Sequence, residues 1–136
     1  MTWLPNATDT PFHRLGGEAA VRKLATHFYD HMDADAPALA KLHPQDEHGK
    51  VSPVVREHFT LFLIEWLGGP KLYSPVKGHP RLRMRHGQVP VNEAMRDEWL
   101  KCMTAAMDDV GVSGEVRAFL DVRFADVANF LRNVEG

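Results

Sequence analysis

The chain has 136 residues, a formal net charge of −2 from 16 basic and 18 acidic side chains, and 44% hydrophobic residues. That length fits one domain, long enough to bury a core but small for the carrier of a large cofactor. The near-balanced charge gives no broad attraction to nucleic acid or to a membrane surface, and the single Cys102 excludes an internal disulfide framework. No run of about 18 apolar residues is present, and Met1-Thr2-Trp3-Leu4-Pro5-Asn6 lacks the basic and apolar regions of a signal peptide. A soluble, unexported, cytoplasmic protein is the expectation.

Residues 1–9 read as an extended polar arm. A short helix around Pro11–Leu15 follows, ended by Gly16-Gly17. From Glu18 to about Met32, the apolar positions Val21, Leu24, Ala25, Phe28, Tyr29 and Met32 share one helical face, which turns Tyr29 inward. Pro37 to Leu42 allows at most a short helix, and His43 to Lys50 reads as a polar loop. Ser52-Pro53 supplies a cap and a first-turn proline for a helix reaching Leu67, where Gly68-Gly69-Pro70 stops it. Phe59, Leu61, Phe62, Leu63, Ile64, Trp66 and Leu67 make that helix apolar on nearly every side. It therefore needs covering on more than one face; one could pack on protein and the other on a cofactor.

Residues 70–79 read as a loop, and Pro80 to His86, with Gly87 behind it, predicts a helix of about two turns. Leu82 and His86, four residues apart, share a face, while Arg81 and Arg85 lie on a neighbouring face that can reach anions. One apolar contact, one nitrogen ligand and flanking cations suit a haem. Asn92 can cap a long helix to about Val110, with Met95, Trp99, Cys102, Met103, Ala106 and Val110 facing inward, and Gly111 breaks it. Ser113 can cap the last helix, whose inner face includes Val116, Phe119, Leu120, Phe124, Val127, Leu131 and Val134. The periodicity is helical throughout, with no strand alternation, so the expected class is all-α.

By spacing alone, each chemistry-bearing position also has a plain reading. His86 fits a solvated histidine at a helix end, favoured by the macrodipole; Tyr29 and Trp99 fit core aromatics; His43 fits a loop histidine. His27 and His31, spaced i and i+4, could bind zinc. With no third ligand and no glutamate between them, a solvated helix face is the better reading.

Taken in order, Leu15-Gly16-Gly17, Phe28-Tyr29, Leu67-Gly68-Gly69-Pro70, the segment ending at His86, and Arg96-Asp97-Glu98-Trp99-Leu100-Lys101-Cys102-Met103 resemble the group II truncated haemoglobins from about Phe12 onward. The resemblance implies a globin-like fold, a truncated 2-over-2 helical sandwich around haem, with residues 1–9 as an N-terminal extension and 10–136 as the globin domain. It implies haem b, with His86 as the iron ligand and Phe59, Phe62, Leu63, Tyr73, His79, Leu82, Arg85 and Trp99 as cofactor contacts. Arg85, Tyr73, His79 and His58 could meet the haem carboxylates.

Tyr29, His43 and Trp99 would form a polar distal set that stabilises the negative charge oxygen develops on binding. His43 departs from the aromatic residue usual in the family and would make that set sensitive to pH. Val55 stands where many globins carry a histidine gate, which leaves ligand entry less obstructed. The implied function is binding of oxygen or another small ligand at a five-coordinate iron, for retention, sensing or redox detoxification rather than bulk transport. The alternatives are a haem enzyme with peroxidase-like, dioxygenase-like or nitric oxide and sulfide redox activity, and a helical interaction module without cofactor. A reductase is the expected partner, and the chain is expected as a monomer or homodimer.

Overall fold

The computed structural model describes residues 3–73 and 92–131. Among them lie six helices, α1 (Pro11–Leu15), α2 (Glu18–Asp35), α3 (Pro37–Ala40), α4 (Pro53–Trp66), α5 (Glu93–Asp109) and α6 (Gly114–Leu131). One isolated antiparallel bridge, Gln45 to Val51, closes the loop before α4.

The local signals explain most boundaries. Thr10 Oγ1 accepts from the His13 amide at 3.1 Å, and Pro11 occupies the first turn of α1. Ser52 Oγ accepts from the Val55 amide at 3.4 Å, and Asn92 Oδ1 accepts from the Met95 amide at 2.9 Å, so α4 and α5 start where their caps sit. α2 runs past Met32 to Asp35. Apolar spacing does not set that end: Pro37 bars Ala36 from the helical region, and Ala36 sits at φ −133°.

α2 is the central element, packing most extensively against α5 and α4 and also touching α1 and α3. α5 packs in turn on α6. Val21, Leu24, Phe28 and Met32 of α2 meet Leu63 and Ile64 of α4, Met103 and Met107 of α5, and Leu120 of α6 in one fully buried core. Met107 adds to the inner stripe of α5, and Val110, at its C-cap, packs half-buried against the core. Cys102 is a buried thiol, pushed up to about 11 chiefly by that burial.

α1 crosses the end of α4 very closely. The Phe12 amide donates to the Leu67 carbonyl at 2.9 Å, and the Gly69 amide to the Ile64 carbonyl at 2.9 Å. A Cβ on Gly69 would stand 2.6 Å from Phe12 Cδ1 and 2.9 Å from the Ile64 carbonyl oxygen.

Within the expected extended polar arm, residues 3–9 are tied to the helices. Trp3 packs edge-on to Phe119 of α6 with ring centroids 5.3 Å apart, its Nε1 donates to Asp9 at 2.9 Å, and the Arg14 guanidinium lies 4.3 Å from the Trp3 ring centroid. Two Arg14 hydrogen bonds of 2.8 Å, then the one from Trp3, hold the Asp9 carboxyl down at about 2. An isolated tryptophan carries no periodicity, so its docking leaves no trace in the sequence pattern.

His27 and His31 are not simply solvated either. His31 Nε2 lies 2.6 Å and His27 Nδ1 3.1 Å from the same oxygen of Asp109 at the end of α5, and His31 Nδ1 lies 3.3 Å from Asp35. By sharing the Asp109 carboxylate, His27 and His31 clamp α2 to α5. Hydrogen bonds to Asp109 and then Asp35 raise the His31 imidazole above its ordinary value, and those from His31 and His27 lower Asp109.

A raised folded-state value means the His31 contribution is fully present below the unfolded value of about 6.5 and is lost as pH rises through the folded one. The lowered Asp109 contribution is kept down to acid pH and lost only as pH falls through its folded value. His31→Ala is therefore expected to lower the urea midpoint at about pH 5.5 and to matter progressively less towards about pH 9. An equal loss at both pH values would show that the His31 ring acts only by packing.

Candidate functional site

Val55, Phe59, Phe62, Leu63 and Trp66 fall on one stripe of α4 by their three- and four-residue spacings. That stripe faces Phe28 and Tyr29 of α2, Trp99 of α5 and Phe124 of α6 in a continuous set of ring contacts. Centroids are 5.4 Å apart for Phe28 and Phe59, 5.7 Å for Tyr29 and Phe59, 5.3 Å for Phe28 and Trp99, and 5.3 Å for Trp66 and Phe124. Tyr29 with Phe59 and Phe28 with Trp99 meet edge-on, an arrangement the ring quadrupoles favour, while Phe28 with Phe59 is tilted and Trp66 with Phe124 is stacked.

Phe59, Phe62, Leu63, Trp66, Trp99, Phe124 and Val127 line an apolar cleft. Phe59, Trp66 and Trp99 are only half-buried, so apolar ring surface remains available to a further partner. The lining contains no ionisable group, so the cleft offers apolar and ring contact only.

Tyr29 is 3% exposed, and burial pushes its phenol well above the usual range, opposed by the charge of Arg56. The phenol therefore stays protonated and can act as a donor. The His43 ring stands edge-on to Tyr29 with centroids 6.2 Å apart. His43 Nδ1 lies 3.1 Å from the Leu39 carbonyl oxygen, an acceptor only, so the neutral ring carries its proton on Nδ1 and Nε2 is an acceptor.

The structure thus brings Tyr29, His43 and Phe59 together, and joins Trp99 to them through Phe28. Phe62 and Leu63 are buried on the same wall. Tyr73 is buried too, its ring edge-on to Phe62 at 5.6 Å. Val55 packs half-buried against the core, and His58 is half-buried on α4. His79, Leu82, Arg85 and His86 lie outside the described residues.

Sequence reasoning missed Trp66 and Phe124 as walls of the cleft. Trp66 continues the α4 stripe four residues after Phe62, which was the available signal. Phe124 belongs to the inner face of α6 and could be assigned only to the core.

The bacterial-like globin family profile matches residues 10–133. Group 2 truncated hemoglobin YjbI of Bacillus subtilis (strain 168) is 37% identical over 125 residues, covering 92% of this chain and 89% of its own length. The crystal structure of the group II truncated haemoglobin from Bacillus anthracis superposes with a TM-score of 0.85 at 34% identity, covering 98% of this chain and 96% of that one. The haemoglobin of the thermophilic phototrophic bacterium Chloroflexus aurantiacus gives a TM-score of 0.83 at 38% identity, covering 92% and 98%. A truncated oxygen-avid haemoglobin from Bacillus subtilis gives 0.81 at 36% identity, covering 91% and 99%.

Proposed function

Because the chain belongs to the bacterial-like globins, and among them to the group II truncated haemoglobins, which bind haem and small ligands such as oxygen, we propose that it retains such a ligand in the pocket edged by Tyr29. Its helical arrangement is the 2-on-2 globin fold. In this reading the aromatic cleft and His86 would hold haem b, and the group would supply an iron centre able to bind a small ligand.

The chain's own residues do the rest. Phe59, Phe62, Leu63, Leu82 and Trp99 give apolar contact and exclude water. Tyr73, His79 and Arg85 complete the cofactor contacts, Arg85 through a charge-assisted bond to a carboxylate. Tyr29 O–H and Trp99 N–H donate to the ligand atom that gains negative charge. His43 adds a donor at Nε2 when its ring is protonated, which makes its share fall as pH rises.

The buried, protonated Tyr29 phenol beside Phe59 carries this reading. Donors of this kind hold an anionic ligand, which favours retention, sensing or redox detoxification over bulk transport. A reductase that keeps the iron ferrous is the partner this role needs, and the cytoplasm is the compartment that suits it. No helix among the described residues is long and apolar enough to cross a membrane.

The test is oxygen and carbon monoxide dissociation from Tyr29→Phe, Trp99→Phe, their double variant and His43→Phe. Losing a donor to a charged group costs roughly 1.5 to 3 kcal/mol, which speeds oxygen release about ten- to a hundredfold. Carbon monoxide, which gains far less charge, should respond less, and the double variant should be non-additive. Unchanged oxygen release throughout would make the pocket structural and end the retention reading. The His43 imidazole, in ring contact with Tyr29, also favours a second reading, peroxidase-like proton delivery; sustained peroxide turnover with an added reductant would establish it.

A further inference from the structure

Arg56, in the first turn of α4, ties together the segments that surround Tyr29. Its Nε donates to the Val51 carbonyl at 3.2 Å, its Nη1 donates to Asp30 at 3.0 Å, and its Nη2 pairs with Asp33. The Asp33 side chain is 9% exposed, and its other oxygen accepts from the Val51 amide at 3.1 Å. Held in this way, the guanidinium carbon stands 5.4 Å from the centroid of the Tyr29 ring.

We infer that Arg56 is a positioning residue for the ligand pocket: its guanidinium, fixed over the Tyr29 ring, strengthens the phenol as a hydrogen-bond donor, and Asp33 sets how much of that charge the ring feels. The inference rests on the reading that Tyr29 donates to the ligand. A cation beside a phenol favours the phenolate over the phenol, so it draws electron density out of the O–H bond and makes the proton a better one to share. Among the influences on Tyr29, burial works against ionisation and Arg56 works for it. A strengthened donor matters for a ligand that gains negative charge and little for a neutral one. Arg56 thereby sets selectivity for oxygen over carbon monoxide without lining the cleft.

Two substitutions in the holoprotein separate charge from scaffolding. Arg56→Met keeps the apolar stem and removes the cation; Asp33→Asn keeps an oxygen for the Val51 amide and removes the counter-charge. Arg56→Met should speed oxygen release about two- to fivefold, the rate equivalent of a modest cation–π contribution, whereas Asp33→Asn should slow it. Carbon monoxide release should stay unchanged in both. With two tyrosines in the chain, the ¹³C resonance of Tyr29 Cζ is assigned by its loss in Tyr29→Phe, and it should move in opposite directions in the two variants.

Loss of a mere tether would loosen the pocket in both variants, so changes of the same sign, or carbon monoxide following oxygen, would overturn the inference. An Arg56→Met effect that persists in the Tyr29→Phe background would overturn it too, while leaving the retention reading intact. Failure of Tyr29→Phe itself to alter oxygen release would instead remove the reading on which it rests. Should Arg56→Met not fold, Asp33→Asn decides alone: slower oxygen release is the expected result, and faster or unchanged release overturns the inference.

Discussion

His86→Ala is expected to purify with little haem, because the substitution removes the one bond of covalent strength that the proposed site offers the iron. Added imidazole should restore part of the coordination. The loss should reach beyond the spectrum. Phe59, Trp66 and Trp99 are half-buried around the cleft, and a cofactor that covers them stabilises the folded chain by linkage. The variant should therefore melt well below the haem-loaded parent and close to the parent stripped of haem. Haem per chain and the two thermal midpoints check this. Full haem content with an unchanged ferrous spectrum would mean that another residue is the axial ligand.

Gly69→Ala is expected to be among the most destabilising single-methyl changes in the protein. The added Cβ would lie 2.6 and 2.7 Å from the Phe12 ring and 2.9 Å from the Ile64 carbonyl oxygen. The ring can turn, but the carbonyl belongs to the backbone of α4 and cannot yield cheaply. A cost at the upper end of the roughly 1 to 3 kcal/mol typical of overpacking follows. Gly49→Ala is the control, since at φ 74° it meets left-handed strain but nothing within 4 Å. If urea titration shows Gly69→Ala no worse than Gly49→Ala, α1 is free to move off the end of α4.

What the sequence made legible was whatever repeats at helical spacing or sits at a cap. The stripe from Val21 to Met32 predicted both the central helix and the inward turn of Tyr29, and Ser52 and Asn92 marked the starts of α4 and α5. The end of α2 was misjudged because apolar spacing fades at Met32 while Pro37 sets the stop. Pairings between distant segments were not legible. Nothing about His27 or His31 points to Asp109, nothing about Trp3 points to Phe119, and Arg56 looks like an ordinary solvated cation until Asp33 is seen beside it. His86 is a different case: its spacing alone favours a solvated helix end, and only the order of motifs along the chain marks it as a ligand.

Because α2 touches α1, α3, α4 and α5, its amides can exchange with solvent only when most of the molecule opens. The loop before α4 is held instead by separate bonds: the Gln45 to Val51 bridge, the Ser52 amide on the Pro44 carbonyl, and Asp33 and Arg56 on the backbone of Val51. Tyr29 belongs to the first of these elements and His43 adjoins the second. The two polar groups that edge the pocket therefore hang on different supports: the phenol on a helix packed against four neighbours, the imidazole beside a loop pinned by a handful of hydrogen bonds.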